Sequence, residues 1–145
     1  MISRFYAWLH RISQRKDERG EYSGGAWQDM ARSKALEWCR GRTGKCLEVG
    51  CGEGLFLARL KQQEPGLRLF GIDNNKERLM QANRRLGQDA DLSEQDAARL
   101  SFIDGYFDAI VCVNVLFNLD SGERVEAVLR EMARVVRPGG SVIFD

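Results

Sequence analysis

Between Leu47 and Phe56 the chain reads LEVGCGEGLF, with glycine at three alternate positions, 50, 52 and 54. Before it stands the apolar stretch KCLEV and after it LFLARLKQQE, so a strand has to turn directly into a helix through a loop of conformationally free residues. Such a loop commits the chain to a βα unit, because glycine lets the backbone reverse tightly and lets a ligand come close to the main chain. The free N–H groups of the following helix also favour an anionic group. A dinucleotide fingerprint would read GxGxxG, yet Leu55 stands five residues after Gly50 and the third glycine comes one residue early. With Glu48 just before it, the loop suits a ligand that brings a carboxylate, a positive amino group and no diphosphate.

The pattern downstream repeats the unit. LRLFGI reads as a strand after Pro65-Gly66, KERLMQANRRLG as a helix closed by Gly87, residues 90–95 as a weak strand, and FDAIVCV as a strand buried on both faces. SGERVEAVLREMARVVRPGG reads as a helix that Ser121 caps, with Glu123 in its first turn, Arg134 and Arg137 at its end, and Pro138-Gly139-Gly140 as its stop. SVIFD then starts a fifth strand. Strands alternating with helices imply an α/β fold, a doubly wound and mostly parallel sheet with helices on both faces and its ligand site at the carboxyl ends of the strands.

Upstream, Phe5, Trp8, Leu9 and Ile12 fall at helical spacing among basic residues, which suits either packing or a charged surface. A second helix runs over residues 26–40, with Trp27, Met30, Leu36 and Trp38 on its apolar faces. Residues 1–40 are therefore expected to form a helical cap on a nucleotide-binding domain spanning 41–145.

A chain of 145 residues with 43% hydrophobic content buries one core. Its 22 basic and 21 acidic residues give no global pull toward DNA or an acidic membrane. The cysteines at 39, 46, 51 and 112 have no metal-like spacing, which predicts reduced thiols, no bound metal and a cytoplasmic protein. No stretch approaches the length of a membrane span or a secretion signal.

A second motif sharpens the ligand. Asp73 ends LFGID at the distance from the glycine loop at which an acidic residue accepts both hydroxyls of a ribose. Alternatively, Asp73-Asn74 caps the next helix.

From about residue 45 to the last residue the chain resembles the Rossmann-like (class I) S-adenosylmethionine-dependent methyltransferases. Four pieces in order carry the likeness: LEVGCGEG, FGIDNN, SEQDAARLSFIDGYFDAIVCVNVLFNL and LREMARVVRPGGSVIFD. By that resemblance Glu48 stands near the methionine amino group, and Gly50, Cys51, Gly52 and Gly54 surround the methionyl part. Asp73 holds the ribose and Asn74 flanks the adenine. Asp96 and Ala97 read the adenine edge, the carboxylate accepting from N6 and the Ala97 N–H donating to the ring; Asp96 alternatively caps a turn of AARL. Asn114 lines the cofactor and faces the substrate, or it satisfies loose backbone after its strand. Tyr22 and Trp27 of EYSGGAW resemble a flap over the cofactor, or they belong to the core. Cys51 fills the loop.

The resemblance implies S-adenosylmethionine as cofactor, S-adenosylhomocysteine as product, and direct in-line methyl transfer to an acceptor, for which a small molecule is expected. No catalytic residue is assigned: the single histidine is His10, and Phe117 and Asn118 stand where relatives often carry one. VNVLF also lacks the Asn-Pro-Pro-aromatic signature of adenine and glutamine methylating relatives. A sheet of seven strands is implied where the sequence supplies five. The expectation is a longer chain, a second copy or another partner covering the open edge. The rival readings are a non-catalytic or partner-dependent cofactor-binding module and, less favoured by the glycine spacing, an NAD-dependent dehydrogenase.

Overall fold

The structure is a computed structural model that describes residues 26–145. Helix α1 (Ala26–Cys39) leads into β1 (Gly44–Val49), then α2 (Leu55–Gln63), β2 (Leu67–Asp73), α3 (Lys76–Leu86) and β3 (Ala90–Glu94). After a loop come β4 (Phe107–Cys112), a 3-10 turn (Leu116–Asn118), α4 (Gly122–Val135) and β5 (Val136–Phe144). The five strands form one parallel sheet in the order β3-β2-β1-β4-β5. This is the doubly wound α/β architecture that the alternation of strand and helix patterns implies.

Local chemistry sets the helix ends. Asn75 caps α3, its side chain accepting the Arg78 N–H at 3.1 Å, and Ser121 caps α4 by accepting the Arg124 N–H at 3.2 Å. Gly87 closes α3, its N–H bonding the Asn83 carbonyl.

Alternation along the strands divides the core into two layers. Cys46, Leu69 and Val111 pack with Ala35 and Cys39 of α1 and with Phe56, Leu57 and Leu60 of α2. Leu47, Val49, Phe70, Ile72 and Ile110 pack on the other face with Val128, Met132 and Val135 of α4. Each fully buried aliphatic side chain of this kind contributes about 1.5–3 kcal/mol relative to exposure. The sheet is a rigid platform for the loops at its carboxyl ends.

One boundary differs from the sequence reading. Pro138-Gly139-Gly140 does not separate helix from strand: α4 ends at Val135, and β5 already begins at Val136. Phe107 pairs with Val136, yet Ala109 pairs with Ser141, so residues 137–140 bulge out of the ladder. The Asp108 carboxylate holds the bulge by accepting from Arg137 Nε at 2.6 Å, and Gly139 supplies a left-handed turn at φ 76°.

Among the described residues no helix is long and apolar enough to cross a membrane. Strands β3 and β5 are the two edges of the described sheet.

Candidate functional site

The carboxyl ends of β1, β2, β3 and β4 bring together the residues that follow them: Gly50, Asn74, Gln95 and Val113. Between β1 and β4 the chain switches from one side of the sheet to the other, and a crevice opens there in such folds.

The glycine loop is held in a shape that only glycine adopts without strain. Gly50, Gly52 and Gly54 have φ of 75°, 51° and 74°. A Cβ on Gly50 would overlap the Val115 side chain, and one on Gly52 would lie 2.9 Å from the Arg78 guanidinium. The loop thus lies against the Val115 side chain of the turn after β4 and the Arg78 guanidinium of α3. Its backbone is tied to β2, since the Gly50 and Cys51 N–H groups both donate to the Ile72 carbonyl, at 2.8 and 2.9 Å.

Two acids lie beneath this loop. Glu48 pairs with Gly71 in the β1–β2 register, and Asp73 follows two residues on, so both carboxylates project from the same face of the sheet. Each residue is only 8% exposed. Asp73 is engaged on both oxygens by the backbone: Oδ2 accepts from Gly52 N–H and Oδ1 from Asn75 N–H, both at 2.8 Å. These contacts orient the carboxylate and tie the glycine loop to the end of β2. The helix cap that stood as the alternative role of Asp73-Asn74 falls to Asn75.

Glu48 is different. Its Oε2 is buried with no hydrogen-bond partner. Burial pushes its carboxyl well above the ordinary carboxylate range; Arg32 of α1 pulls it back, and the neighbouring negative charge of Asp73 pushes it further up. A buried carboxylate beside a second one is costly unless a cation reaches it. The site therefore suits a ligand that carries positive charge and hydroxyl donors.

Cys51 turns its sulfur inward: a Cβ on Gly71 would lie 2.9 Å from it. Burial raises this thiol, and Glu48 and Asp73 raise it further, so it is an inert filler, as its lack of basic neighbours in sequence implies. Asn74 is exposed at the rim. Asp96 is exposed as well, and its Oδ1 accepts from Ala98 N–H at 2.9 Å and from Arg124 at 2.8 Å, while the half-buried Ala97 packs on the second core layer. The turn-capping alternative for Asp96 is thus present in the structure, alongside an ion pair. Asn114 takes the left-handed conformation at φ 62°, and both polar atoms of its side-chain amide are buried without a partner. Its backbone is fixed by the Asp145 carboxylate, which accepts the Asn114 N–H at 2.7 Å, and by Asn118, whose amide donates to its carbonyl at 2.8 Å. A buried side-chain amide with neither polar atom partnered is uncommon in a folded chain. Tyr22 and the stretch around His10 for which a helix is expected lie outside the described residues, and so does the side chain of Trp27.

Sequence reasoning missed Arg32, Arg78, Val115 and Arg124. Nothing in the spacing of the three arginines signals the site, because each reaches it through packing between elements distant in the chain, and Val115, next to Asn114, is singled out only by its approach to Gly50. Among the described residues no cluster of His, Cys, Asp and Glu could hold a metal ion.

The residues present fit S-adenosylmethionine or its demethylated product. The orphaned Glu48 oxygen matches a methionyl ammonium, and the oriented Asp73 carboxylate matches a ribose diol. Gly50 and Gly52, whose left-handed backbone favours glycine, put no side chain between the main chain and a ligand.

Comparison with known proteins agrees. The chain is 31% identical over 129 residues to a phosphatidylethanolamine N-methyltransferase of Cereibacter sphaeroides, covering 86% of this chain and 61% of the relative. It is 30% identical over 142 residues to a demethylmenaquinone methyltransferase of Deinococcus radiodurans, covering 96% and 54% respectively. Similarity to the human thiol S-methyltransferase TMT1A is 36% over 117 residues, 75% of this chain and 46% of that one. The chain spans about half the length of the curated relatives it matches. In fold it resembles the N-methyltransferase NodS from Bradyrhizobium japonicum in complex with S-adenosyl-L-homocysteine, at a TM-score of 0.72 and 23% identity over 96% of this chain and 71% of NodS. It also resembles the PH0226 protein from Pyrococcus horikoshii, at 0.71 and 21% over 97% and 60%. A family model described as a methyltransferase domain matches residues 47–144, from the first buried strand to the end of the fifth. The chain belongs to the Rossmann-like S-adenosylmethionine-dependent methyltransferases.

Proposed function

We propose that this chain binds S-adenosylmethionine between the glycine loop, Glu48 and Asp73, and supports direct methyl transfer to a small-molecule acceptor at the Asn114 side of the crevice. The observation that carries the reading is the buried, unpartnered Glu48 oxygen beside Asp73 under a loop that only glycine can form. When bound, the cofactor supplies a methyl group on a sulfonium, already a good electrophile, so the protein's task is alignment and exclusion of water.

Glu48 holds the ammonium and Asp73 the ribose hydroxyls, while Gly50 and Gly52 let the methionyl part lie against the backbone. Asp96 and Ala97 take the adenine edge, and Asn74 flanks it. Asn114 offers its free amide to the acceptor. The turn that follows Asn114 carries Phe117 and Asn118 and no histidine. An acceptor whose nucleophile is already deprotonated at neutral pH, or needs no deprotonation, suits that arrangement.

Relatives named for phosphatidylethanolamine, demethylmenaquinone and thiols, with a C-methyltransferase of ubiquinone and menaquinone biosynthesis, support a non-macromolecular acceptor with an N, C or S nucleophile. A cytoplasmic location, with the four thiols free as they stand in the structure, belongs to the same proposal. So does completion of the sheet beyond β5 by further chain, a second copy or a partner.

The test is a transfer assay with the methyl group of the cofactor isotopically labelled and a panel of amine, thiol and quinol acceptors. Label transferred to one class, and lost in Glu48→Gln and Asp73→Ala, supports the proposal. Cofactor binding with no transfer to any acceptor, in the chain and in any longer natural form, would leave the non-catalytic reading standing instead.

A further inference from the structure

Asp96 is the one proposed adenine contact whose side chain is held by another side chain. Its Oδ1 accepts two hydrogen bonds, from Ala98 N–H at 2.9 Å and from Arg124 Nη2 at 2.8 Å. Arg124 belongs to the first turn of α4, where Ser121 accepts its backbone N–H, and α4 is anchored to the sheet through Val128, Met132 and Val135. The guanidinium therefore comes from a rigid element, although both side chains stand well exposed, 39% for Arg124 and 45% for Asp96. Both donors converge on the same oxygen, and among the described residues none donates to Asp96 Oδ2.

We infer that Arg124 is a positioning residue for adenine recognition: by pinning Asp96 Oδ1 it leaves Oδ2 presented to a donor, the exocyclic N6 amine. The inference rests on the reading that Asp96 accepts from that amine. An exposed aspartate rotates between several rotamers, and a carboxylate fixed by a backbone N–H and a planar guanidinium keeps one. A lysine at 124 would keep the charge and lose the planar fork, so it restores the function only in part.

The experiment is a calorimetric titration of the full chain with S-adenosylhomocysteine and with its 6-deamino analogue, which carries hydrogen in place of the N6 amine. The wild-type chain is expected to prefer the aminated ligand by about tenfold, the order of one charge-assisted hydrogen bond. Arg124→Met should cut that preference to about threefold, a loss of the size an exposed ion pair supports, and leave affinity for the deamino analogue unchanged. Arg124→Lys should fall between, and Arg124→Gln repeats the test should the methionine variant fold poorly. Equal weakening for both ligands would mean a structural role only and would overturn the inference; tighter binding of the aminated ligand would mean that Arg124 competes with adenine and would overturn it too. Asp96→Ala separates the two levels. If it abolishes the preference while Arg124→Met does not, only the Arg124 inference fails; if it leaves the preference intact, the Asp96 reading itself fails.

Discussion

Glu48 and Asp108 are acids on adjacent strands of one sheet, and the protein treats them in opposite ways. Asp108, near the amino end of β4, accepts the Lys45 N–H at 2.7 Å on Oδ2 and Arg137 Nε at 2.6 Å on Oδ1. The Lys45 N–H and then the Arg137 guanidinium hold its carboxyl below the ordinary aspartate value. Glu48, at the carboxyl end of β1, is buried with an unpartnered oxygen and a carboxyl pushed up by that burial. The same pattern extends around each. At the Asp108 end Arg134 is held by Glu131, Asp104 and the Phe102 and Leu100 carbonyls. At the Glu48 end Asn114 keeps a buried amide unsatisfied and the glycine loop keeps left-handed backbone. Of these two acids, the fully paired one braces the scaffold, and the buried, unpartnered one lies at the proposed site.

The contrast can be broken most forcibly at the loop. Gly50→Val places a branched side chain at a left-handed position and into Val115, and strain of this kind costs on the order of 1–3 kcal/mol in stability before any clash. Cofactor binding should vanish with it, as titration would record. The double variant Gly50→Val, Val115→Ala relieves the overlap alone, so thermal unfolding should recover only part of the loss.

Next in size is Asp73→Ala. It removes the acceptor of the Gly52 and Asn75 N–H groups and of the ribose diol, and should weaken binding by about 1–3 kcal/mol while the far-ultraviolet circular dichroism stays that of the parent. Unchanged affinity would sink the ribose assignment.

Glu48→Gln should separate stability from function. Without ligand it replaces a buried, unpaired carboxylate by a neutral amide and should stabilise the chain by about 1 kcal/mol in denaturant unfolding, while affinity for the ammonium-bearing ligand falls. Asp108→Asn should do the reverse in kind, lowering stability and leaving affinity where it was.

Their pH dependences have opposite signs. The folded carboxyl of Glu48 lies above its unfolded value, so its stability contribution is complete below the unfolded carboxylate range and is lost as pH rises through the folded value. The folded carboxyl of Asp108 lies below its unfolded value, so its contribution is present above that range and is lost as pH falls through the folded value. Unfolding measured from pH 4 to 8 should lose its downward slope in Glu48→Gln and its acid-side drop in Asp108→Asn.

Much of this was legible in the sequence. Glycines at 50, 52 and 54 between an apolar strand and a helix fix the first βα unit, and Ser121 and Gly87 fall at helix ends as their chemistry requires. Glu48 and Asp73 stand out because acids at the ends of apolar strands are rare without cause. The bulge over residues 137–140 was not legible, since Pro-Gly-Gly reads as a stop and only the Asp108–Arg137 contact turns it into part of β5. Arg78 and Arg124 were hidden for the same reason. A surface arginine on a helix has no periodic signature, and its partner is set by how α3 and α4 lean on loops from other units.

The most direct measurement is a calorimetric titration of the chain with S-adenosylmethionine, S-adenosylhomocysteine and NAD. Saturable binding of the first two and none of NAD is expected if unpaired Glu48, oriented Asp73 and the left-handed glycine loop form the cofactor site. Binding of NAD with equal affinity, or no binding of the two sulfur ligands, would contradict it.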